Sequence, residues 1–333
     1  MKVSVGILRR LLLVPVLMSV YCGCQNGLDI PVDTTDISFS ATVNGTKSGI
    51  VESDASGLPL ADVTGIQLVR GTDGAAPKFN EVPSLSITGS IRKGSSTITP
   101  SPSQHYPLNA NGVPLDRDVN FLAVYPLPQS YHQGSGSTSA SVVWDITDGK
   151  TDVMYSAPAK ANYYGRSSGS DINFQFNHAL ARLRIQIKAN DYASYVTFRS
   201  LVSARIKVPT SARMSFDAQG SSSFTYESEN FVEICDAGQK LVLKDPMVEP
   251  GVVSSGYIEA LVAPNQAATS YKMMFGFEGL GLVDKEYTVS DLRLEPGKTT
   301  VLTVTLSGGV IMFMTPYVLP FVDVPVDEGI VIE

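Results

Sequence analysis

From Ile37 onward the chain alternates. Ile37, Phe39, Ala41 and Val43 are interleaved with Ser38, Ser40 and Thr42, so a strand there buries one face and wets the other. The same period of two runs through Val119, Phe121, Ala123 and Tyr125, through Val142, Trp144 and Ile146, and through Leu302, Val304 and Leu306 set among threonines. No segment sustains the i, i+3, i+4 apolar spacing of an amphipathic helix for long, so antiparallel sheets packed as sandwiches are expected. Thr99-Pro-Ser-Pro-Ser103, Gln133-Gly-Ser-Gly-Ser-Thr138 and Arg166-Ser-Ser-Gly-Ser170 supply turns and loops between the strands. Within Ile172 to Ile187 the apolar parity changes: Phe174, Phe176, His178 and Leu180 are even, whereas Leu183, Ile185 and Ile187 are odd. A bulge or bend near Ala181 is required if all of them are buried.

The N-terminus breaks the pattern. Lys2, Arg9 and Arg10 precede an apolar run from Leu11 to Val20, and Gly23 precedes Cys24. That order is a secretory signal ending on an acylated cysteine, the bacterial lipoprotein arrangement, with cleavage before Cys24. Cys22 would place bulky Tyr21 at the cleavage position. The run falls short of the roughly 20 apolar residues that span a bilayer, so the mature chain is expected to be tethered to a membrane by lipid and not embedded in it.

Length and charge narrow the rest. The 333 residues, less a signal of residues 1–23, suffice for about two domains. Losing Lys2, Arg9 and Arg10 takes the formal charge from −7 to −10, which argues against nucleic acid as a partner. The divisions read from the pattern are a linker at 24–36, domains at 37–170 and 171–308, and an apolar tail at 309–333. Cys235 is left without a disulfide partner once Cys24 carries lipid, and reads as a small apolar strand residue.

Chemistry is sparse. His105, His132 and His178 sit in unrelated contexts with no second ligand at zinc spacing, and no nucleophile elbow, HExxH, P-loop or dinucleotide turn occurs. His178, on the Phe174/Phe176 face, reads as a packed structural histidine. Asp116 and Asp118 form a carboxylate pair of the kind found in solvated acidic loops. No catalytic residue, metal or cofactor is expected, and the chain is read as a non-enzyme.

Taken in order, Tyr125-Pro126, Trp144-Asp-Ile-Thr-Asp-Gly149, Asp152-Val-Met-Tyr-Ser156, Phe174-Gln-Phe-Asn-His-Ala-Leu-Ala-Arg-Leu183 and Leu294-Glu-Pro-Gly297 resemble the fimbrillin family, the type V pilins and related surface proteins of Gram-negative anaerobes. The resemblance implies two tandem transthyretin-like antiparallel β-sandwich domains. It also implies a surface fimbria built with other fimbrial subunits. In such proteins an arginine-specific cut follows the first strand, and a neighbour's extended tail fills the groove that the lost strand leaves.

Arg70, the first arginine after the signal and followed by a Gly-rich turn, is the candidate cut site, with Lys47 as another early basic residue. The tail from Val310 to Ile332 is apolar enough to require cover. Pro316, Pro320 and Pro325 suit an edge or added strand, and Val318, Val322, Val324 and Val326 are the candidate donor side chains. The plain alternative for the tail is a hairpin folded back on its own domain. An alternative function is a monomeric glycan-binding lipoprotein that meets a host or bacterial surface ligand through Tyr163-Tyr164 or Tyr131-His132.

Overall fold

The computed structural model describes residues 35–43, 56, 58–136, 138–166, 169–236, 238–254, 256–280 and 284–320, the side chains of 266, 268 and 320 excepted. These residues form an all-β fold. Its first strands are β1 (Phe39–Val43), β2 (Val63–Arg70), β3 (Ile87–Ile91), β4 (Thr97–Ser101) and β5 (Asp118–Tyr125). They continue with β6 (Ser130–His132), β7 (Ala140–Asp145), β8 (Met154–Ser156), β9 (Ala159–Asn162) and β10 (Ile172–His178). After these come β11 (Ala181–Ala189), the helix α1 (Tyr192–Phe198), β12 (Ser200–Phe216), β13 (Ser222–Glu233), β14 (Leu241–Val242) and β15 (Ile258–Val262). The last are β16 (Asn265–Phe277), β17 (Lys285–Leu294), β18 (Lys298–Ser307), β19 (Val310–Phe313) and β20 (Tyr317–Pro320).

The first sheet runs β2-β3-β4-β1-β10-β8-β5-β9, and a further pairing of β2 with β5 closes it into a ring. A ring of seven strands cannot close on antiparallel contacts alone, because each one reverses direction. The parallel pair β1/β10 leaves six reversals, and the ring closes. Inside lie Phe39, Ile66, Leu68, Val119, Phe121, Phe174 and Phe176, all buried.

Alternation predicted one wet face for β5, but both faces are covered. Val119, Phe121 and Ala123 point into the ring, while Leu122 and Val124 join Val142, Trp144 and Ile146 in a second core. That second core exists because β7 pairs with β12 and not with its sequence neighbours of the first sheet. The far sheet is ordered β17-β16-β12-β7-β6, with β13 and β14 also on β12. β12 is its spine. Ile206 and Val208 cover the third core, and Ala212, Met214 and Phe216, on the same face, cover the second. Pro209 sits where neither β16, whose partners end at Ala204, nor β7, whose partners begin at Ser211, runs alongside.

The remaining sheet, β15-β11-β18-β19 with β20 also on β18, closes the third core through Leu183, Ile185, Ile187, Leu302, Val304 and Leu306. The parity change between Phe176 and Leu183 is therefore a change of sheet. β10 ends at His178, Ala179 and Leu180 pass into the second core, and β11 starts afresh at Ala181. The expected division at 170/171 does not coincide with this passage. β10 belongs to the first sheet, and β6 and β7 belong to a sheet built mostly from later strands.

Two local expectations differ. Thr99 to Ser101 extend β4 instead of forming a turn; Pro100 is accommodated because β4 pairs with β1 only at Thr97 and Ile98. The helix α1 is an element that apolar spacing did not reveal. Asp191 caps it, accepting from the Ser194 N–H at 2.8 Å, and its other oxygen accepts from the Gly308 N–H at 2.7 Å. These hydrogen bonds, Gly308 foremost, hold the Asp191 carboxyl below its usual range.

Candidate functional site

β1 fills a slot in the ring. It pairs with β10 along its whole length, from Phe39 opposite Ile172 to Val43 opposite Phe176, but with β4 only at Phe39/Ile98 and Ser40/Thr97. Phe39 is fully buried, its ring 5.0 Å from Phe121 in an edge contact and 6.2 Å from Phe174 in a stacked one. At its start, Ser38 donates through its N–H (2.8 Å) and hydroxyl (2.9 Å) to Asp171. At its end lies a narrow apolar cavity of about 20 Å³ bounded by Ala41, Val43, Val63, Ile91, Met154 and Phe176. This segment thus presents few large apolar groups, Ile37 just before the strand, Phe39 and the partly buried Val43, to a deep apolar interior.

Arg70 is the last residue of β2, its main chain opposite Phe121 of β5. The guanidinium is tied to Asp73 (3.1 Å), to the Gln104 side chain (3.3 Å) and to the His105 carbonyl (3.2 Å), and it lies 5.5 Å from the Phe121 ring centre. Lys47 belongs to the connection from β1 to β2, at residues 44–62, and lies outside the described residues, as does Cys24.

The tail begins as an edge strand of its own chain. β19 pairs with the end of β18 from Val310/Ser307 to Phe313/Val304, and β20 with its start from Tyr317/Val301 to Pro320/Lys298. Ile311 and Phe313 turn inward, with Phe313 5.8 Å from Phe275 and 6.0 Å from Tyr287, whereas Val310 and Met312 face solvent. Val318 stands opposite Thr300 of β18. Val322, Val324 and Val326 lie outside the described residues.

The remaining expected sites resolve into structural contacts. His178 Nδ1 is 2.9 Å from Asp152 Oδ1, both side chains buried, at the point where the Ala179 N–H donates to the Val153 carbonyl. Gly297 donates to the Leu180 carbonyl and Gly149 accepts from the Leu261 N–H, so four of the quoted motifs meet where the first sheet hands over to the others. The Trp144 indole N–H donates to the Pro126 carbonyl at 2.8 Å. Sequence spacing gave no sign that Asp152 was the partner of His178, because the two are brought together only by pairing of β8 with β10.

Cys235 is buried just beyond β13, with its thiol 3.2 Å from the Gln239 carbonyl. Burial, then Glu233 and Asp236, pushes it up to about 11. Tyr131 packs against the second core with its hydroxyl on the Val82 carbonyl, while His132 and His105 are exposed. Asp116 and Asp118 both accept from the Asn162 amide, at 3.0 and 3.4 Å, and Asp118 also accepts from Lys160 at 2.9 Å. The Lys160 hydrogen bond is the main reason that the Asp118 carboxyl is held below its usual range. Tyr164 is exposed beside them. Among the described residues no group of three or more His, Cys, Asp or Glu is placed to hold a metal ion.

A sequence profile described as fimbrillin-like matches residues 80–318, well over half of the chain. The chain belongs to the fimbrillin-like family. Among solved structures, this fimbrillin-like chain is similar to a candidate cell adhesion protein of Bacteroides uniformis at 16% identity and a TM-score of 0.55, covering 87% of this chain and 99% of the other. At that identity the likeness concerns the fold. A fimbrial protein of Bacteroides vulgatus follows at 9% identity and a TM-score of 0.42, covering 85% of this chain and 99% of the other. A fimbrial protein of Bacteroides ovatus gives 15% identity and a TM-score of 0.40, covering 82% and 50%. No curated protein matches the fimbrillin-like chain.

Proposed function

We propose that the chain is a structural subunit of a surface fimbria that contributes to adhesion. In this reading it is carried to the outer membrane as a lipoprotein acylated at Cys24 and joined to other fimbrial subunits by strand exchange. The observation that carries this reading is the slot of β1: a short strand, half-paired on its β4 side, that plugs an interior lined by Ile98, Phe121, Phe174 and Phe176. A strand with more large apolar side chains would fill the slot better. At roughly 1.5–3 kcal/mol for each buried Val, Leu, Ile or Phe, the series Val318, Val322, Val324 and Val326 is at least comparable to what Ile37, Phe39 and the partly buried Val43 supply.

The tether of β1 to β2 opposes exchange, because a covalently attached strand has a high effective concentration at its own slot. Cutting that tether removes the advantage. A cut after Lys47 would free β1 alone with the lipid-bearing N-terminus. A cut after Arg70 would free β2 as well, and β2 is paired on both sides, to β3 and β5. The pairing of β19 and β20 with β18 is then a resting position from which the tail is lent to a neighbour.

The test is limited trypsin digestion of the unlipidated mature chain, with cut sites mapped by mass and size followed by chromatography and SDS electrophoresis. Cleavage within 44–70 followed by SDS-resistant ladders, lost on deleting Val310 to Glu333, is the expected result. A chain that is nicked there yet stays monomeric would sink strand exchange and leave the reading of a monomeric glycan-binding lipoprotein.

A further inference from the structure

The end of the ring at which β5 and β10 begin and β9 ends carries an open polar cleft of about 230 Å³, lined by Asp118, Lys160, Asn162, Gly165, Arg166 and Asp171. We propose that this cleft binds one ring of an uncharged saccharide. The cleft adjoins the start of β1, since Asp171 in its lining accepts from Ser38, but a sugar bound there makes no demand on strand exchange.

Charge decides against an ionic ligand. The lining holds two carboxylates and two cations, so its formal charge is zero, and the chain around it is acidic. What the cleft offers instead is donors and acceptors side by side. An ionised carboxylate has about four acceptor positions. Asp118 uses one on Lys160 and one on Asn162. Lys160, with three N–H donors, gives one to Asp118, and its side chain is 68% exposed. A hydroxyl group both donates and accepts, so neighbouring hydroxyls of a sugar can bridge the spare positions of Asp118 and Lys160. A carboxylate or an ammonium can satisfy only one kind. The volume is below the roughly 300–1,000 Å³ of sites that enclose drug-sized ligands, which limits the cleft to about one ring.

An aromatic turn adjoins the cleft, because Asn162 and Gly165, which line it, flank Tyr163 and Tyr164. The turn Tyr163–Gly165 follows β9, and Asn162 fixes it by accepting from the Tyr164 N–H at 3.0 Å. Tyr163 stands edge-on to Tyr106 at 5.6 Å, and Arg166 lies 5.0 Å from the Tyr163 ring centre. Tyr164 stands edge-on to Tyr163 at 5.2 Å and donates its hydroxyl to the Pro114 carbonyl at 3.0 Å, yet it is 62% exposed. A large ring held by its hydroxyl and by one edge contact, and left in water, loses little freedom when a flat apolar sugar face stacks on it. Asn162 joins the two parts, since its amide group holds Asp116 and Asp118 while its oxygen holds the aromatic turn.

The test titrates the unlipidated mature chain with methyl β-galactoside, methyl α-mannoside and methyl β-glucoside, with N-acetylneuraminate and glucosamine as charged controls. Binding is followed by amide chemical shifts. At least one neutral glycoside is expected to bind with a Kd on the order of 1–10 mM, as suits a single ring. Tyr164→Ala, Asn162→Ala and Lys160→Gln at an exposed position are each expected to weaken it by about tenfold, the loss of one good contact. Tyr164→Phe, which keeps the ring, is expected to stay within about threefold. Circular dichroism checks each variant for folding, and exposed Lys160 keeps the test valid if Asn162→Ala unfolds the turn. Absence of binding by every neutral glycoside, tighter binding of either charged control, or folded variants that bind as the parent does would each overturn the proposal. None of these outcomes bears on tail-dependent ladders, so failure here and failure of strand exchange are distinguishable.

Discussion

The joint between the sheets includes a residue, Gly149, at which a side chain is costly. Gly149 has φ +64°, and a Cβ added there would lie 2.8 Å from Val232 Cγ1 and 3.1 Å from the Ala260 Cβ. It is positioned by two side-chain turns: Asp145 accepts from the Thr147 N–H, and Asp148 accepts from the N–H groups of Lys150 and Thr151. Gly94 has a similar φ of +70° with nothing within 4 Å, so the pair separates backbone strain from crowding. Gly94→Ala is expected to cost about 1–2 kcal/mol, the left-handed penalty alone. Gly149→Ala is expected to cost about 2–5 kcal/mol, with overpacking added. Urea denaturation of both variants measures the difference. Equal losses would mean that the 145–151 loop yields to the methyl group and does not hold β15 in place.

At the scale of the element, alternation reports which face of a strand is dry but not what dries it. The inward set Ile37, Phe39 and Ala41 was legible, and so was Leu302, Val304 and Leu306. The double burial of β5 was not, because Leu122 and Val124 are covered by β7, whose choice of β12 as partner is a long-range pairing that no local period encodes. The helix α1 was missed for a related reason: it has only seven residues, and its start is set by Asp191, which also reaches the distant Gly308 turn. Of the candidate site, the apolar strips of β1 and the tail were legible, whereas the ties of Arg70 and the placing of Asp152 against His178 were not.

The tail strand gives alternation a direct test. Phe313→Ala is expected to destabilise the chain by about 1–3 kcal/mol, because the ring packs on Phe275 and Tyr287. Met312→Ala, one position away and solvent-facing, is expected to fall within about 0.5 kcal/mol of the parent. Thermal melts of the two variants decide it. Equal small effects would show that β19 contributes nothing in its resting position and is free to leave at no cost.

At the scale of the whole molecule, the boundary expected at 170/171 crosses sheets shared by both sides. Cutting at 170/171, as the Ser/Gly loop invites, would remove β10 from the ring, where it holds β1 on one side and β8 on the other. The same cut would take β7 from β12, leaving the 211–216 edge unpaired and Ala212, Met214 and Phe216 without the facing Val142 and Trp144. Both fragments therefore lose part of the second core, which neither can rebuild from its own residues. Intact protein is expected to melt in one calorimetric transition, with calorimetric and van't Hoff enthalpies equal. Fragments 37–170 and 171–333, expressed separately, are expected to show no cooperative melt, and mixing them is expected to restore one. A fragment that melts cooperatively alone would show that the shared core is an accessory contact. Domain motion would then be the default expectation for a joint of that kind. A single transition would instead mean that the three cores unfold as one cooperative unit, the second core being the contact that couples the other two.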